Sequence, residues 1–212
     1  MRQSFLNKIK EELNKGVPGE ASHVKMSPID RITLKKRLEL DEKIKESAVA
    51  VILHFNTTNK VECLLIQRST YDGKHSGQIA FPGGKKDNTD INLEHTARRE
   101  AFEEIGLQLS DQHYLGELTS VYIPVSNFLV QPVLYFHDSL PQLTLNEREV
   151  ADIHSIKLDD LLNEESSSTM SVEFSNGIIH SNIPCFKINN QEIWGATALI
   201  LNELRDLVLR FI

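Results

Sequence analysis

Residues 79–107, IAFPGGKKDNTDINLEHTARREAFEEIGL, constrain the fold of this chain more than any other stretch. They read as a short apolar strand, a Pro-Gly-Gly turn, a polar loop and a helix that stops at Gly106. Because helical positions i, i+3 and i+4 are neighbours, Glu100, Glu103 and Glu104 share one narrow face. An apolar stripe lies beside that face: Ala97, Ala101 and Ile105. The stretch predicts a strand–turn–helix unit whose helix has adjoining buried and acidic faces.

The acidic face is unfavourable as a plain surface. Like charges at i, i+4 repel by roughly a few tenths of a kcal/mol per pair, and Arg99, four residues before Glu103, offers the local relief. A hard divalent cation such as Mg²⁺ would turn this repulsion into coordination. Gly83 and Gly84 in the turn allow close backbone approach, so the unit predicts metal-bridged attack on a phosphoanhydride. The alternative interpretation is a charged, exposed helix.

Positive charge is concentrated around the glycine turn, in a chain whose formal net charge is −7. The members of this cluster are Arg68, Lys74, His75, Lys85 and Lys86. Arginine offers phosphate two parallel donors and lysine a point charge, so the cluster predicts anion binding, with solvated loop charge as the alternative. The overall acidity argues against a nucleic-acid partner, which would need a broad basic face.

The second half of the unit resembles the Nudix box of the Nudix hydrolases, Gly-x5-Glu-x7-Arg-Glu-U-x-Glu-Glu-x-Gly-U with U aliphatic. The match runs from Arg99 to Leu107, with Ala101 at the first U. The first half departs from the pattern, because 14 residues separate Gly84 from Arg99 instead of 13 and Ile91 stands where the pattern has Glu. One branch of the family, the coenzyme A diphosphatases, has this longer loop with Asp-x-x-Asp, which matches the Asp at positions 87 and 90.

The residues before the turn resemble the signature of the same branch. The matching stretch is Leu65-x2-Arg68-Ser69…His75-x-Gly77-Gln78-x-Ala80-Phe81-Pro82-Gly83-Gly84. The resemblance extends over roughly residues 47–200 and implies a set of substrate-binding residues: Arg68, Ser69, His75, Gln78, Gly83 and Gly84. We expect the segment 68–78 to set substrate choice, and a second phosphate to be held near Arg68.

The resemblance also implies roles for the carboxylates. Glu100 and Glu104 would be the principal metal ligands, with Glu103 a ligand or a residue that positions the base, and Arg99 would orient a carboxylate. Glu149 is the candidate for a further catalytic carboxylate, as general base or extra ligand, against the alternative of a surface glutamate. The implied reaction is Mg²⁺- or Mn²⁺-dependent hydrolysis of coenzyme A to 3′,5′-ADP and 4′-phosphopantetheine. The alternatives are ADP-ribose or dinucleoside polyphosphates as substrates, or a non-catalytic binding module.

Strands before and after one central helix, with a closing helix over 196–211, predict an α/β/α sandwich around a mixed β-sheet, which is the arrangement of the Nudix fold. We expect an N-terminal helical extension and linker over 1–45 and the Nudix domain over 46–212. Within the extension, residues 3–15 predict an amphipathic helix. It would pack on the domain or on the partner subunit of a homodimer.

Five local expectations concern the segments between the helices. Residues 114–123 are predicted to be one strand, and Pro132 indicates an edge or a bulge in the next. Residues 164–171 are predicted to be a polar loop. Asn176-Gly177 and Asn189-Asn190 predict two turns between paired strands.

The chain is predicted to be cytoplasmic, without a membrane partner. It has no run approaching the ~18 apolar residues of a membrane span, and its first residues lack the apolar core of a signal peptide. Cys63 and Cys185 show no metal-binding spacing, so reduced structural thiols are expected.

Overall fold

The computed structural model describes residues 2–28, 44–70, 77–173, 177 and 179–212. Its helices, in chain order, are α1 (Arg2–Lys15), α2 (Glu20–Val24), α3 (Leu93–Ile105), α4 (Leu158–Leu162) and α5 (Gly195–Leu209). Its strands are β1 (Lys45–Phe55), β2 (Val61–Arg68), β3 (Ile79–Ala80), β4 (Gly83–Lys85), β5 (Tyr114–Glu117), β6 (Val121–Ile123), β7 (Phe128–His137), β8 (Val150–Lys157), β9 (Ser167–Glu173), β10 (Ile179–Ile188) and β11 (Gln191–Trp194).

A mixed sheet of eight strands, counted over the described residues, forms the centre of the fold. Its axis is β1, which runs parallel to β7 and antiparallel to β2 and β4. Strand β8 pairs with β2, and β5 and β6 pair with β7. A second, three-stranded sheet has the order β11-β10-β9. The pairing of β4 with β1 sets the glycine turn directly against the central strand.

Side chains of β1 belong to two apolar cores, one on each face of the sheet, because successive residues of a strand point to opposite faces. Val51, Leu53 and Phe55 belong to the core beneath α1 and α5, and Ala50 and Ile52 to the core beneath α3. Burial on both faces explains the nearly continuous apolar sequence of β1. The predicted α/β sandwich around a mixed sheet is confirmed.

Pro132 was expected at an edge or a bulge, and the edge part of this prediction is wrong. It lies within β7, an inner strand between β1 and the pair β5 and β6. The predicted single strand over 114–123 is interrupted at the same place, where Leu118 donates to the carbonyl of Pro132. A proline cannot donate to a neighbouring strand, so the break in the pairing falls where no donor is available.

The loop predicted for residues 164–171 is also wrong, since Ser167–Glu173 form β9. The serine-rich sequence of β9 has little intrinsic strand signal, and pairing with β10 decides its conformation. The turn predicted at Asn189-Asn190 is confirmed, with φ of 52° and 62° as a type I′ turn requires. At the other predicted turn, Asn176 lies outside the described residues.

The N-terminal segment packs on this chain's own core. Ile9 of α1 is fully buried in the core beneath α5. Residues 18–28, predicted to be a linker, contain α2, which is attached to α5 through the buried Glu203. The Glu203 carboxylate accepts a hydrogen bond from the Gly19 amide at 2.9 Å and lies 3.1 Å from His23 Nε2. No helix in the described ranges is long and apolar enough to cross a bilayer.

Candidate active site

Helix α3 is capped at both ends and stops at Gly106, as its sequence predicts. The Asn92 side chain accepts a hydrogen bond from the His95 amide at 2.7 Å and caps the first turn. At the other end Gly106 adopts φ of 69°, and its amide donates to the carbonyl of Phe102. A Cβ at Gly106 would lie 3.1–3.2 Å from Thr144 as well, so glycine both stops the helix and lets the 144–150 segment pass closely.

The glycine turn packs against two glutamates of α3, the buried Glu104 and the partly buried Glu100. Glu104 is 1% exposed, and its Oε2 accepts a hydrogen bond from the Gly83 amide at 2.8 Å. Its Oε1 lies 3.5 Å from Arg68 Nη1, at the end of β2. Glu100 packs so closely against Gly84 that a Cβ there would lie 2.5 Å from the Glu100 carboxylate. The turn therefore admits no larger residue at position 84 without displacing Glu100.

Burial makes these carboxylates hard to ionise. Desolvation raises the pKa of Glu104 to about 7, although the Gly83 hydrogen bond and the Arg68 charge act in the opposite direction. Desolvation also raises the pKa of Glu100, opposed by the neighbouring Arg99. The negative charge of Glu149 contributes to the increase of both pKa values. Two carboxylates that are desolvated in this way favour a nearby positive charge.

Glu103 is placed differently from its two neighbours. Its side chain is half exposed, and its Oε2 accepts a hydrogen bond from Arg99 Nη1 at 2.9 Å. The three glutamates thus share the predicted helix face without meeting at one point. Across the described ranges, no three His, Cys, Asp or Glu side chains converge as a preformed cage for a metal ion.

Arg99 is fixed by a residue outside the α3 helix. Its Nε and Nη2 donate to the two carboxylate oxygens of Asp90 at 3.0 and 2.9 Å, while Nη1 donates to Glu100 and Glu103. The Arg99 guanidinium holds the pKa of Asp90 well below its usual range. Ile91, at the position where the Nudix pattern has Glu, is 83% exposed. Arg99 therefore pairs with Asp90, which lies one position before Ile91 in the loop.

Asp90 is almost completely surrounded by donors. Besides Arg99, it accepts hydrogen bonds from the Asp87 amide at 2.8 Å and the Thr96 hydroxyl at 2.9 Å, and lies 2.8 Å from His95 Nδ1. The sequence resemblance pointed to Asp87 and Asp90 without giving their function. The structure distinguishes them, because the buried carboxylate of Asp90 reaches Arg99 while the Asp87 side chain accepts from Thr89 in its own loop.

Glu149 is brought to the site by the 144–150 segment. This segment follows the end of α3, where the Asn146 amide donates to the carbonyl of Glu104 at 2.9 Å. On its other side, the Ser69 amide donates to the carbonyl of Glu149 at 2.9 Å, and the Ser69 hydroxyl to that of Glu147 at 3.0 Å. These backbone contacts place the segment that carries Glu149 between the end of α3 and the end of β2.

The predicted substrate residues are not all in one place. Arg68 faces Glu104, and Ser69 contacts the 147–149 backbone. The carbonyl of Gln78 accepts from the Arg68 amide at 3.0 Å. His75, like Lys74 of the positive cluster, lies outside the described residues. An open cleft of about 780 Å³ adjoins Ser69, and its other lining residues include Thr70, Leu143, Thr144, Glu147 and Val150.

The fold and the site together define a mixed-sheet α/β protein with a carboxylate-rich centre beside a glycine turn. The family model described as NUDIX domain matches residues 44–172. The chain therefore belongs to the Nudix family, and its catalytic class is that of the Nudix hydrolases. Members of this family generally use divalent metal ions.

Curated relatives share the same region. The Nudix hydrolase NudL of Yersinia enterocolitica is 36% identical over 145 residues, which cover 68% of this chain and 73% of the relative. The human mitochondrial coenzyme A diphosphatase NUDT8 is 32% identical over 160 residues, covering 74% and 67%.

Solved structures show the same fold. A MutT/nudix family protein from Enterococcus faecalis superposes with a TM-score of 0.58 at 19% identity, covering 90% of this chain and 74% of the other. The Nudix hydrolase RenU from M. smegmatis gives a TM-score of 0.51 at 15% identity, covering 79% and 88%.

Proposed function

We propose that this Nudix hydrolase cleaves the pyrophosphate bond of coenzyme A and its derivatives, giving 3′,5′-ADP and 4′-phosphopantetheine. The observation that carries the proposal is the contact between Arg68, in the coenzyme A diphosphatase-like segment, and the buried Glu104 of α3. This contact connects the segment that we expect to select the substrate with the carboxylates that we expect to take part in its hydrolysis. The human relative whose name specifies coenzyme A diphosphatase supports the same substrate class.

The carboxylates of α3 fit a divalent metal ion, Mg²⁺ or Mn²⁺. Glu100 and Glu104 present hard oxygen donors, and burial raises the pKa of both, so a cation would favour their ionised forms. These two residues would hold the ion, which when bound neutralises phosphate charge and lowers the pKa of the attacking water. Glu103 faces Arg99, so we assign it the predicted alternative role of positioning.

The remaining residues of the site would orient the reacting groups. Arg68 has a guanidinium beside Glu104, where it can donate to a phosphate oxygen of the scissile bond. Glu149 enters from the 144–150 segment and would accept the proton of the attacking water or add a further metal ligand. The cleft beside Ser69 provides space next to these groups for part of the substrate. The cytoplasmic location remains a prediction from the sequence.

A turnover assay on a panel of nucleotides tests this proposal. With Mg²⁺ or Mn²⁺ we expect faster hydrolysis of coenzyme A than of ADP-ribose or diadenosine polyphosphates, with both products identified by mass spectrometry. Excess EDTA should abolish turnover, because the phosphate and carboxylate groups are both negatively charged and repel each other when no cation lies between them. Faster cleavage of ADP-ribose would refute the substrate assignment. Full activity in EDTA would refute the requirement for a metal ion. Binding of the nucleotide without turnover would identify a non-catalytic module.

Replacing Arg68 by Ala should lower kcat/KM by about 10–150-fold on coenzyme A and on dephospho-coenzyme A alike. A charge-assisted contact to phosphate contributes roughly 1.5–3 kcal/mol. The position of Arg68 beside Glu104 supports a contact with the pyrophosphate, which both substrates contain. Steady-state kinetics on the two substrates provide the measurement. A matched control is Arg2→Ala, which removes an exposed guanidinium bound to Asn59. A loss confined to coenzyme A would assign Arg68 to the 3′-phosphate, as expected from the sequence.

A further inference from the structure

We propose that Ser69 is a positioning residue, which holds the 147–149 turn so that Glu149 reaches the carboxylates of α3. The inference rests on the proposed function, in which Glu149 takes part in hydrolysis. The sequence resemblance placed Ser69 among the substrate-binding residues. The structure instead directs both of its donors into the protein, the amide to the carbonyl of Glu149 and the hydroxyl to that of Glu147.

The two hydrogen bonds fix the turn on both sides of Arg148. At 2.9 Å and 3.0 Å they have ordinary lengths for N–H···O and O–H···O bonds, and they hold the carbonyls of Glu149 and Glu147. Ser69 itself is anchored, because it directly follows β2, and Arg68 at the end of that strand pairs with Val150 of β8. The position of the turn is thereby tied to the central sheet.

The 144–150 segment, which contains the turn, is hydrogen-bonded to α3 at its start. The Thr144 amide donates to the carbonyl of Ile105 at 3.0 Å, and the Asn146 amide to that of Glu104 at 2.9 Å. These carbonyls belong to the last turn of the helix, where no intrahelical donor is available. The Asn146 carbonyl in turn accepts from the amides of Glu149 and Val150, both at 2.9 Å. The segment is therefore held by hydrogen bonds to the end of α3 on one side and to Ser69 on the other.

A loss of activity is expected when one of these two attachments is weakened. Glu149 lies in the turn that Ser69 holds, and Asn146 of the same segment donates to the carbonyl of Glu104, so a displacement of the turn moves Glu149 relative to α3. A displacement of about 1 Å at a catalytic group can cost ~10²-fold in rate. Removal of the Ser69 hydroxyl leaves the amide contact in place, so a smaller displacement follows. We therefore expect a loss of about 10-fold in kcat/KM for Ser69→Ala.

A double-mutant cycle separates positioning from substrate binding. The variants are Ser69→Ala, Glu149→Gln and their combination, measured on whichever diphosphate substrate the wild-type protein cleaves fastest. If Ser69 acts through Glu149, Ser69→Ala costs about 10-fold in the wild-type background and less than about 2-fold in the Glu149→Gln background. Equal losses in both backgrounds would overturn the proposal, and so would wild-type kinetics for either single variant. Ser69→Thr, which keeps the hydroxyl, should restore activity.

The matched control is Ser27→Ala, which removes a hydroxyl that donates to the carbonyl of His23 at 2.9 Å, far from α3 in the chain. It should leave kcat/KM unchanged. Amide hydrogen exchange supplies a readout that needs no turnover: exchange across residues 144–150 should accelerate in Ser69→Ala and not in Ser27→Ala. Unchanged exchange would also overturn the proposal. Because the cycle uses any cleaved diphosphate, a failed coenzyme A assignment and a failed role for Ser69 give different results.

Discussion

Replacement of Glu104 by Gln should lower kcat by at least ~10²-fold while the protein stays folded. The change removes a charge proposed to hold the metal ion, and the amide oxygen of glutamine can still accept the hydrogen bond that the Gly83 amide now donates to Glu104. Steady-state kinetics with saturating Mg²⁺ or Mn²⁺ give the measurement. Glu11→Gln, at an exposed glutamate of α1, is the matched control and should retain full activity.

The same variant should change how stability depends on pH. Burial raises the pKa of Glu104 from about 4.5 to about 7, so the folded protein binds this proton more tightly than the unfolded chain does. In excess EDTA, the stability from this group is fully present below pH 4.5 and is lost as the pH rises through 7. The loss is about 3 kcal/mol.

Glu104→Gln carries no such titration, so it should be more stable than wild type at pH 8 in EDTA and show a flatter dependence between pH 5 and 8. Thermal unfolding across this range tests the sign. Wild-type turnover combined with an unchanged pH dependence would show that the helix face is a charged surface without a catalytic role.

Asp90→Asn should destabilise the protein by about 3 kcal/mol, because it removes the buried carboxylate that binds the partly buried Arg99 through two hydrogen bonds and leaves Arg99 with Glu100 and Glu103 as its carboxylate partners. It should also lower kcat by at least ~10-fold, since Arg99 connects Asp90 to Glu100 and Glu103 and would lose its orientation. Urea unfolding and steady-state kinetics measure the two effects.

The neighbouring position provides the control for this prediction. Ile91 is exposed, so Ile91→Asn should change stability by no more than about 0.5 kcal/mol. Moreover, Ile91→Glu, which restores the residue of the Nudix pattern, should not rescue Asp90→Asn. A rescue would show that Arg99 takes its partner from position 91, contrary to the contacts observed here.

Local sequence was sufficient for much of the fold. The i, i+4, i+8 spacing of Ala97, Ala101 and Ile105 predicted a helix buried on one face, and all three are fully buried beneath the sheet. The apolar run of β1 is likewise typical of a strand buried on both faces, as β1 is. Where strand formation depends on pairing with a neighbouring strand more than on local sequence, prediction failed: β9 has a polar sequence and is a strand because β10 lies beside it. The position of Pro132 inside the sheet likewise depends on the break between β5 and β6.

The sequence by itself determined the helix that carries the glutamates, its stop at Gly106 and the glycine turn before it, because these depend on helical periodicity and backbone conformation within a few residues. Only the tertiary structure decided what each carboxylate contacts. Burial against the Gly83-Gly84 turn selects Glu104 and Glu100, whereas Arg99 holds Glu103 at the surface. The i, i+4 contact of Arg99 with Glu103 is visible in the sequence. The contacts of Glu104 and Glu100 join α3 to the glycine turn outside the helix, so desolvation and hydrogen bonding, which helical spacing does not encode, distinguish these two glutamates from Glu103.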